Sequence, residues 1–176
     1  VIRPLSDNVQ HSEKFMNTLI SGTLTGKIGM VTGGSRGIGA AIARKLASDG
    51  AVVAITYNES AERSAQLVQT IESTGGKAFA IQADVSNPQA IRLAVATIVE
   101  KFGRIDILVN GAGALVVANI DTFSIEDFER MIAVNIRGVF VTTQEAARHM
   151  PDGAESFISE VVTATAFHSL VVQCMR

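Results

Sequence analysis

A doubly wound α/β fold, with a parallel sheet and helices on both faces, is predicted by three features of this 176-residue sequence. The run 51–57 (AVVAITY) is continuously apolar and β-branched, the signature of a parallel strand covered on both faces. Similar short runs at 28–31, 77–83 and 105–109 are separated by stretches with apolar residues at helical spacing, and strands alternating with helical patterns imply βαβ units. The third feature is the glycine-rich stretch Thr32-Gly33-Gly34-Ser35-Arg36-Gly37-Ile38-Gly39, placed between the first strand and the first helix. The expected strand order is 3-2-1-4.

The glycine stretch is the centre of the functional reading. Glycines let the backbone turn tightly and approach a ligand, while the free N–H groups and positive dipole end of the following helix favour an anion such as pyrophosphate. Gly33, Ser35, Arg36, Gly37, Ile38 and Gly39 are therefore candidate phosphate contacts. A purely structural strand-to-helix turn is the alternative for this stretch alone.

Helical patterns fill the intervals between the strands. Ile38, Ile42, Ala43 and Leu46 share a helical face, and Gly50 stands where a C-cap belongs. Ser60 can cap the next helix, with Ala61, Ala65, Val68 and Ile71 as its apolar face and Gly75-Gly76 as its stop. After the third strand, Pro88 succeeds Ser86-Asn87 at a helix start, and that helix carries Ile91, Val95, Ile98 and Phe102 to Gly103. A long helical pattern then opens at Ser124 and runs through Phe128, Met131, Ile132, Asn135, Val139 and Phe140 to Met150.

Bulk properties narrow the partner. With 47% hydrophobic residues the chain can bury the core of one domain. A net charge of −2 from scattered, nearly balanced residues gives no footprint for nucleic acid or an anionic membrane. Cys174 is the single cysteine, so no intramolecular disulfide forms and a reducing compartment fits. His11, His149 and His168 are far apart in sequence and form no metal motif. No apolar run reaches membrane-spanning length and no signal segment opens the chain, so a cytoplasmic location is expected. Residues 1–23 read as an N-terminal extension, with Met16 a candidate natural start, and residues 24–153 as the domain.

The spacing Thr-Gly-x-x-x-Gly-x-Gly, together with Asp84-Val85, Asn110-Gly111-Ala112-Gly113 and Asn135 within Ala133-Val134-Asn135-Ile136-Arg137-Gly138, resembles the short-chain dehydrogenase/reductase family, in particular members like 3-oxoacyl-carrier-protein reductase. The resemblance implies a Rossmann-type, NAD(P)-binding domain that moves a hydride between a nicotinamide dinucleotide and a small carbonyl or alcohol. It places Asp84 and Val85 beside the adenine. Asn110, Gly111, Ala112 and Gly113 fall beside the ribose and nicotinamide, with Asn110 tying down the strand end; Gly111 departs from the asparagine usual there. Asn135 is the family's catalytic-group asparagine, which holds a water beside the catalytic lysine. Residues after the second strand choose the cofactor, because an acidic side chain there binds the ribose 2′-OH and repels a 2′-phosphate. The positions there read Thr56-Tyr57-Asn58, all uncharged and polar, and Arg36 can pair with a phosphate, so NADP(H) is preferred and NAD(H) possible. Glu59 could itself reach the ribose, and a solvent-facing Arg36 is the alternative.

The pattern breaks after residue 153. The family continues with a fifth strand ending in a catalytic serine and then a Tyr-x-x-x-Lys helix, and residues 154–176 supply neither; Tyr57 is the only tyrosine. Reading the third base of each codon with the first two of the next permits GRIIYIGSCNSDRIPFPGSSVYA, in which strand, Gly-Ser and Tyr-Ala fall in family order. Glu160/Val161 allows only serine or glycine there, and Cys174/Met175 only tyrosine or histidine. A one-base frame shift near codon 153 is one expectation; a genuinely divergent tail is the other. Either way the fold is expected to be incomplete on the fourth-strand side after its last helix, leaving an unpaired edge with marginal stability or self-association. The chain is expected to bind a dinucleotide without turnover, as a disabled reductase or as a nucleotide-binding fragment, with a homo-oligomer through the 124–150 helix possible.

Overall fold

The computed structural model describes residues 24–151 and, for the backbone alone, 155–157. The extension 1–23 and almost all of the tail lie outside the described residues. Five parallel strands form one sheet: β1 (Ile28–Thr32), β2 (Val52–Tyr57), β3 (Lys77–Gln82), β4 (Ile107–Asn110) and β5 (Glu155–Phe157). Their order is β3-β2-β1-β4-β5, so the expected 3-2-1-4 order holds. One correction concerns the edge. The sequence was expected to supply no fifth strand, yet Glu155–Phe157 pairs with Ile107, Leu108 and Val109. Backbone pairing asks little of side-chain identity, so a tail without the family motif can still extend the sheet.

Helices α1 (Gly37–Ser48), α2 (Ala61–Ser73) and α3 (Pro88–Phe102) connect the first four strands. The long pattern after Ser124 is not one regular helix. It is α4 (Ile125–Ile132), a π-helical segment Ala133–Gly138, and α5 (Val139–Ala147). Helix ends obey the side chains in part: Asn87 accepts from Gln89 N and Ala90 N ahead of α3, Ser124 accepts from Asp127 N ahead of α4, and Gly103 closes α3 at φ 79°. Ser60 departs from expectation. Its side chain makes no cap bond, and α2 starts beneath it uncapped.

The sheet divides two cores, as alternate residues on a strand point to opposite faces. Met30, Ala54 and Leu108 pack with Ile91, Val95 and Ile98 of α3 and with Val141 and Ala146 of α5. Val31, Val53, Ile55, Ile107 and Val109 pack on the other face with Ala40, Ala43 and Ala47 of α1 and with Leu67 and Ile71 of α2. Strand β1 is buried along its whole length. It therefore carries its loop, the glycine turn, to the middle of the sheet's carboxyl end.

Candidate functional site

All four loops that leave β1 to β4 at the carboxyl end of the sheet meet at one open cleft of about 560 Å³. Such a crevice, at the point where strand order reverses, is where open α/β sheets take ligands. The cleft begins with the glycine turn. Gly33 has φ +62°, and an added Cβ would stand 2.7 Å from Ala112 Cα, so only glycine lets the β1 and β4 loops touch. Thr32 locks that contact: its hydroxyl accepts from Gly111 N at 3.1 Å and Ala112 N at 3.2 Å. Gly37 has φ +55° with open space beside it. It begins α1, whose first turn carries no acidic residue and whose N-cap, Arg36, makes no side-chain cap bond. The positive end of that helix and its early N–H groups therefore open on the cleft with no side-chain cap and no acidic residue in the first turn. Arg36 is exposed and pairs with no carboxylate among those residues.

The cleft brings together most of the residues that the sequence singled out. Gly33, Ser35, Arg36, Gly37, Ile38 and Gly39 line it from β1, Tyr57 and Asn58 from β2, Asp84 and Val85 from β3, and Gly111, Ala112 and Gly113 from β4. Asp84 braces its own loop, with Oδ1 accepting from Ser86 N at 2.8 Å. Two of the expected residues stand behind the lining. Asn110 is buried and donates through Nδ2 to Thr143 Oγ1 at 3.2 Å, which ties the end of β4 to α5. Asn135, in the π-helical segment, accepts from Ala114 N at 2.9 Å and donates to Ala114 O at 2.8 Å. Both ends of its amide hold the loop after β4, so in this structure it positions backbone.

Sequence reasoning missed Ser60, Ala83, Ala114, Arg130 and Val134, which also line the cleft, and it weighed Thr56 and Glu59 without assigning them. Ser60 was readable as a cap. Arg130 and Val134, four apart on one helical face, were readable as a pair only if that face was known to look at the cleft. Thr56 is fully buried, and its hydroxyl has no hydrogen-bond partner among the described residues. An orphan polar group costs about 1–3 kcal/mol, and this one borders the cleft.

At the opposite end of the sheet stands a buried carboxylate. Asp106 accepts from Ile28 N at 2.9 Å and from Arg104 Nε at 3.0 Å, and pairs with Lys27 Nζ at 3.3 Å. Burial raises its carboxyl, but the Ile28 N–H, Lys27 and Arg104 outweigh that and hold it below the ordinary carboxylate value.

Comparison with known proteins decides the family. The model of the short chain dehydrogenase family matches residues 27–175. This chain belongs to the short-chain dehydrogenase family. An uncharacterized oxidoreductase from Methylorubrum extorquens is 45% identical over 141 residues, covering 80% of this chain and 57% of the relative. Versicolorin reductase 1 from Aspergillus parasiticus is 40% identical over 141 residues, covering 80% and 54%. Among solved structures, a short chain dehydrogenase from Burkholderia cenocepacia in complex with NADP superposes with a TM-score of 0.76 at 44% identity, covering 84% of this chain and 65% of that one. The chain thus spans little more than half the length of the curated relatives it matches. No helix among the described residues is long and apolar enough to cross a membrane.

Proposed function

We propose that the cleft takes a nicotinamide dinucleotide, NADP(H) in preference to NAD(H), and that the parent activity is hydride transfer between that cofactor and a small carbonyl or alcohol. The observation that carries this reading is the uncapped, acid-free N-terminus of α1 opening into the cleft beside the glycine turn. The residues present fit the group: Ser35 to Ile38 would hold the phosphates, Asp84 and Val85 the adenine, and Gly111 to Gly113 the nicotinamide half. The NADP in the Burkholderia complex supports a nicotinamide dinucleotide as the ligand. When bound, the nicotinamide supplies the hydride and the protein orients it.

Preference for the 2′-phosphate rests on Arg36, a guanidinium at the cleft with no carboxylate partner among the described residues, set against the carboxylate of Glu59 in the same lining. Direct binding of NADPH and NADH by titration calorimetry tests this; tighter NADH binding would reverse the assignment.

The chain as given is proposed to bind without turnover. A carbonyl reduction needs a proton donor at the nicotinamide end, and the only tyrosine, Tyr57, closes β2. A non-catalytic nucleotide-binding role is the second reading favoured by this observation. NADPH consumption with a reactive diketone separates the two, since measurable turnover would mean that another group donates the proton. We further propose a nucleotide-binding unit that starts at residue 24 and runs past the expected boundary at 153, because β5 pairs with β4 in the same sheet, a cytoplasmic setting, and a second copy of the chain as macromolecular partner. The last rests on Ile136 and Phe140, which are 50% and 63% exposed on neighbouring turns; a monomer by sedimentation would dismiss it.

A further inference from the structure

We propose that Gly138, seconded by Arg137, is a positioning residue that fixes the Asp84–Val85 wall of the cleft, and that the π-helical segment joins this wall to the opposite one at Ala114. Gly138 has helical dihedrals, φ −61° and ψ −46°, which any residue adopts. Glycine is therefore not there for backbone freedom, and inside a helix it costs roughly 1 kcal/mol relative to alanine. What it permits is approach: an added Cβ would lie 2.7 Å from Val85 O, 3.3 Å from Val85 C and 3.2 Å from Ala133 O. Val85 and Asp84 line the cleft, and Asp84 is tied to Ser86 N. Pushing Val85 moves the wall as a unit.

Three contacts fall within four residues of one helical segment. Asn135 grips Ala114 with both ends of its amide, Arg137 Nη2 donates to Ser86 O at 3.4 Å, and Gly138 abuts Val85. One extra residue in a helical turn rotates every later residue by about 100° about the axis. The π-helical segment thereby lets Asn135 face the β4 loop while Gly138 faces the β3 loop. The two walls are thereby linked through one short covalent segment, residues 135–138.

This inference rests on the dinucleotide reading. Its test is the affinity of adenosine 2′,5′-bisphosphate for the natural chain, Gly138→Ala and Arg137→Ala, with thermal unfolding of each. The expected result is at least tenfold weaker binding by Gly138→Ala and about threefold by Arg137→Ala, with the unfolding midpoint lowered in Gly138→Ala and retained in Arg137→Ala. A glycine kept only for packing would shift the midpoint and leave the affinity of the folded protein unchanged. Unaltered affinity in Gly138→Ala while the natural chain binds overturns the positioning role alone. If Gly138→Ala does not fold, Arg137→Ala decides, and unaltered affinity there overturns it. Absence of binding by the natural chain removes the dinucleotide reading and this inference together.

Discussion

The two ends of the sheet solve opposite problems. At the amino end, Asp106 is buried with a backbone N–H and two cations around it, so its charge is answered within the protein. At the carboxyl end, the first N–H groups of α1 lack a side-chain cap, and among the described residues Arg36 has no carboxylate partner and the buried Thr56 hydroxyl has no partner either. The same strands supply both ends, so the contrast is not one of strand propensity. It lies in which polar groups are left for something outside the chain to satisfy. One end is closed within the fold, and the other leaves polar groups open.

The comparison breaks most visibly at Gly33. Gly33→Ala places a Cβ against the backbone of Ala112 and forces a side chain into a left-handed conformation. We expect dinucleotide affinity to fall at least a hundredfold, with roughly 1–3 kcal/mol of stability lost to overpacking; calorimetric titration and urea unfolding measure the two. Retained affinity would mean that the β1 and β4 loops need not touch.

Asp106→Ala is the converse. It removes the acceptor of Ile28 N and the counter-charge of Lys27 and Arg104, and should lower stability by about 2–3 kcal/mol while leaving nucleotide affinity as it was. Its pH dependence has a definite sign. Because the folded carboxyl titrates below its unfolded value, its contribution is complete above the ordinary carboxylate pKa and is lost as pH falls through the lower folded one. The stability gap between the natural chain and Asp106→Asn should therefore narrow only in acid. A gap that widens on acidification would contradict the assignment.

A smaller effect is expected at Arg36. Arg36→Gln should weaken NADPH about tenfold, the loss of one charge-assisted hydrogen bond, and leave NADH nearly unchanged. Equal losses for both cofactors would place Arg36 on the shared pyrophosphate. Smallest is Thr56→Val, which removes an orphan hydroxyl at constant shape. Replacing such a group by an apolar isostere is near neutral or stabilising by up to about 1 kcal/mol. A clear loss of stability in thermal melts would show that Thr56 has a partner in solution.

How much of the fold and the cleft was legible in the sequence depends on what each feature leaves behind in residue order. The strands could be read because parallel strands covered on both faces are continuously apolar, as in Val53-Ala54-Ile55, and their order followed from the connection rules of doubly wound sheets. The cleft could be read from its glycines, since Gly33 and Gly37 occupy positions that side chains disfavour. The π-helical segment could not. Its apolar spacing differs from a regular helix by one residue over a single turn, within the tolerance of any amphipathic pattern. Arg130 and Val134 were hidden for a related reason, because only tertiary packing turns their face toward the cleft. Ser60 misled because a serine before a helix is usually a cap. The fifth strand escaped notice because three backbone-paired residues leave no periodicity to detect.

The central position of β1 has a bearing on how the chain acquires its shape. The bond from Gly111 N to Thr32 Oγ1 joins residues 79 apart in sequence, while β2 and β3 pair across a single helix. Closing a long loop is slower than closing a short one. The β2-α2-β3 unit should therefore gain protection early in refolding and the binding end only when β4 docks. Pulsed hydrogen exchange during refolding can track this order, and simultaneous protection of Ile55 and Leu108 amides would disprove it. On a ribosome, the same topology withholds a competent site until the fourth strand has emerged.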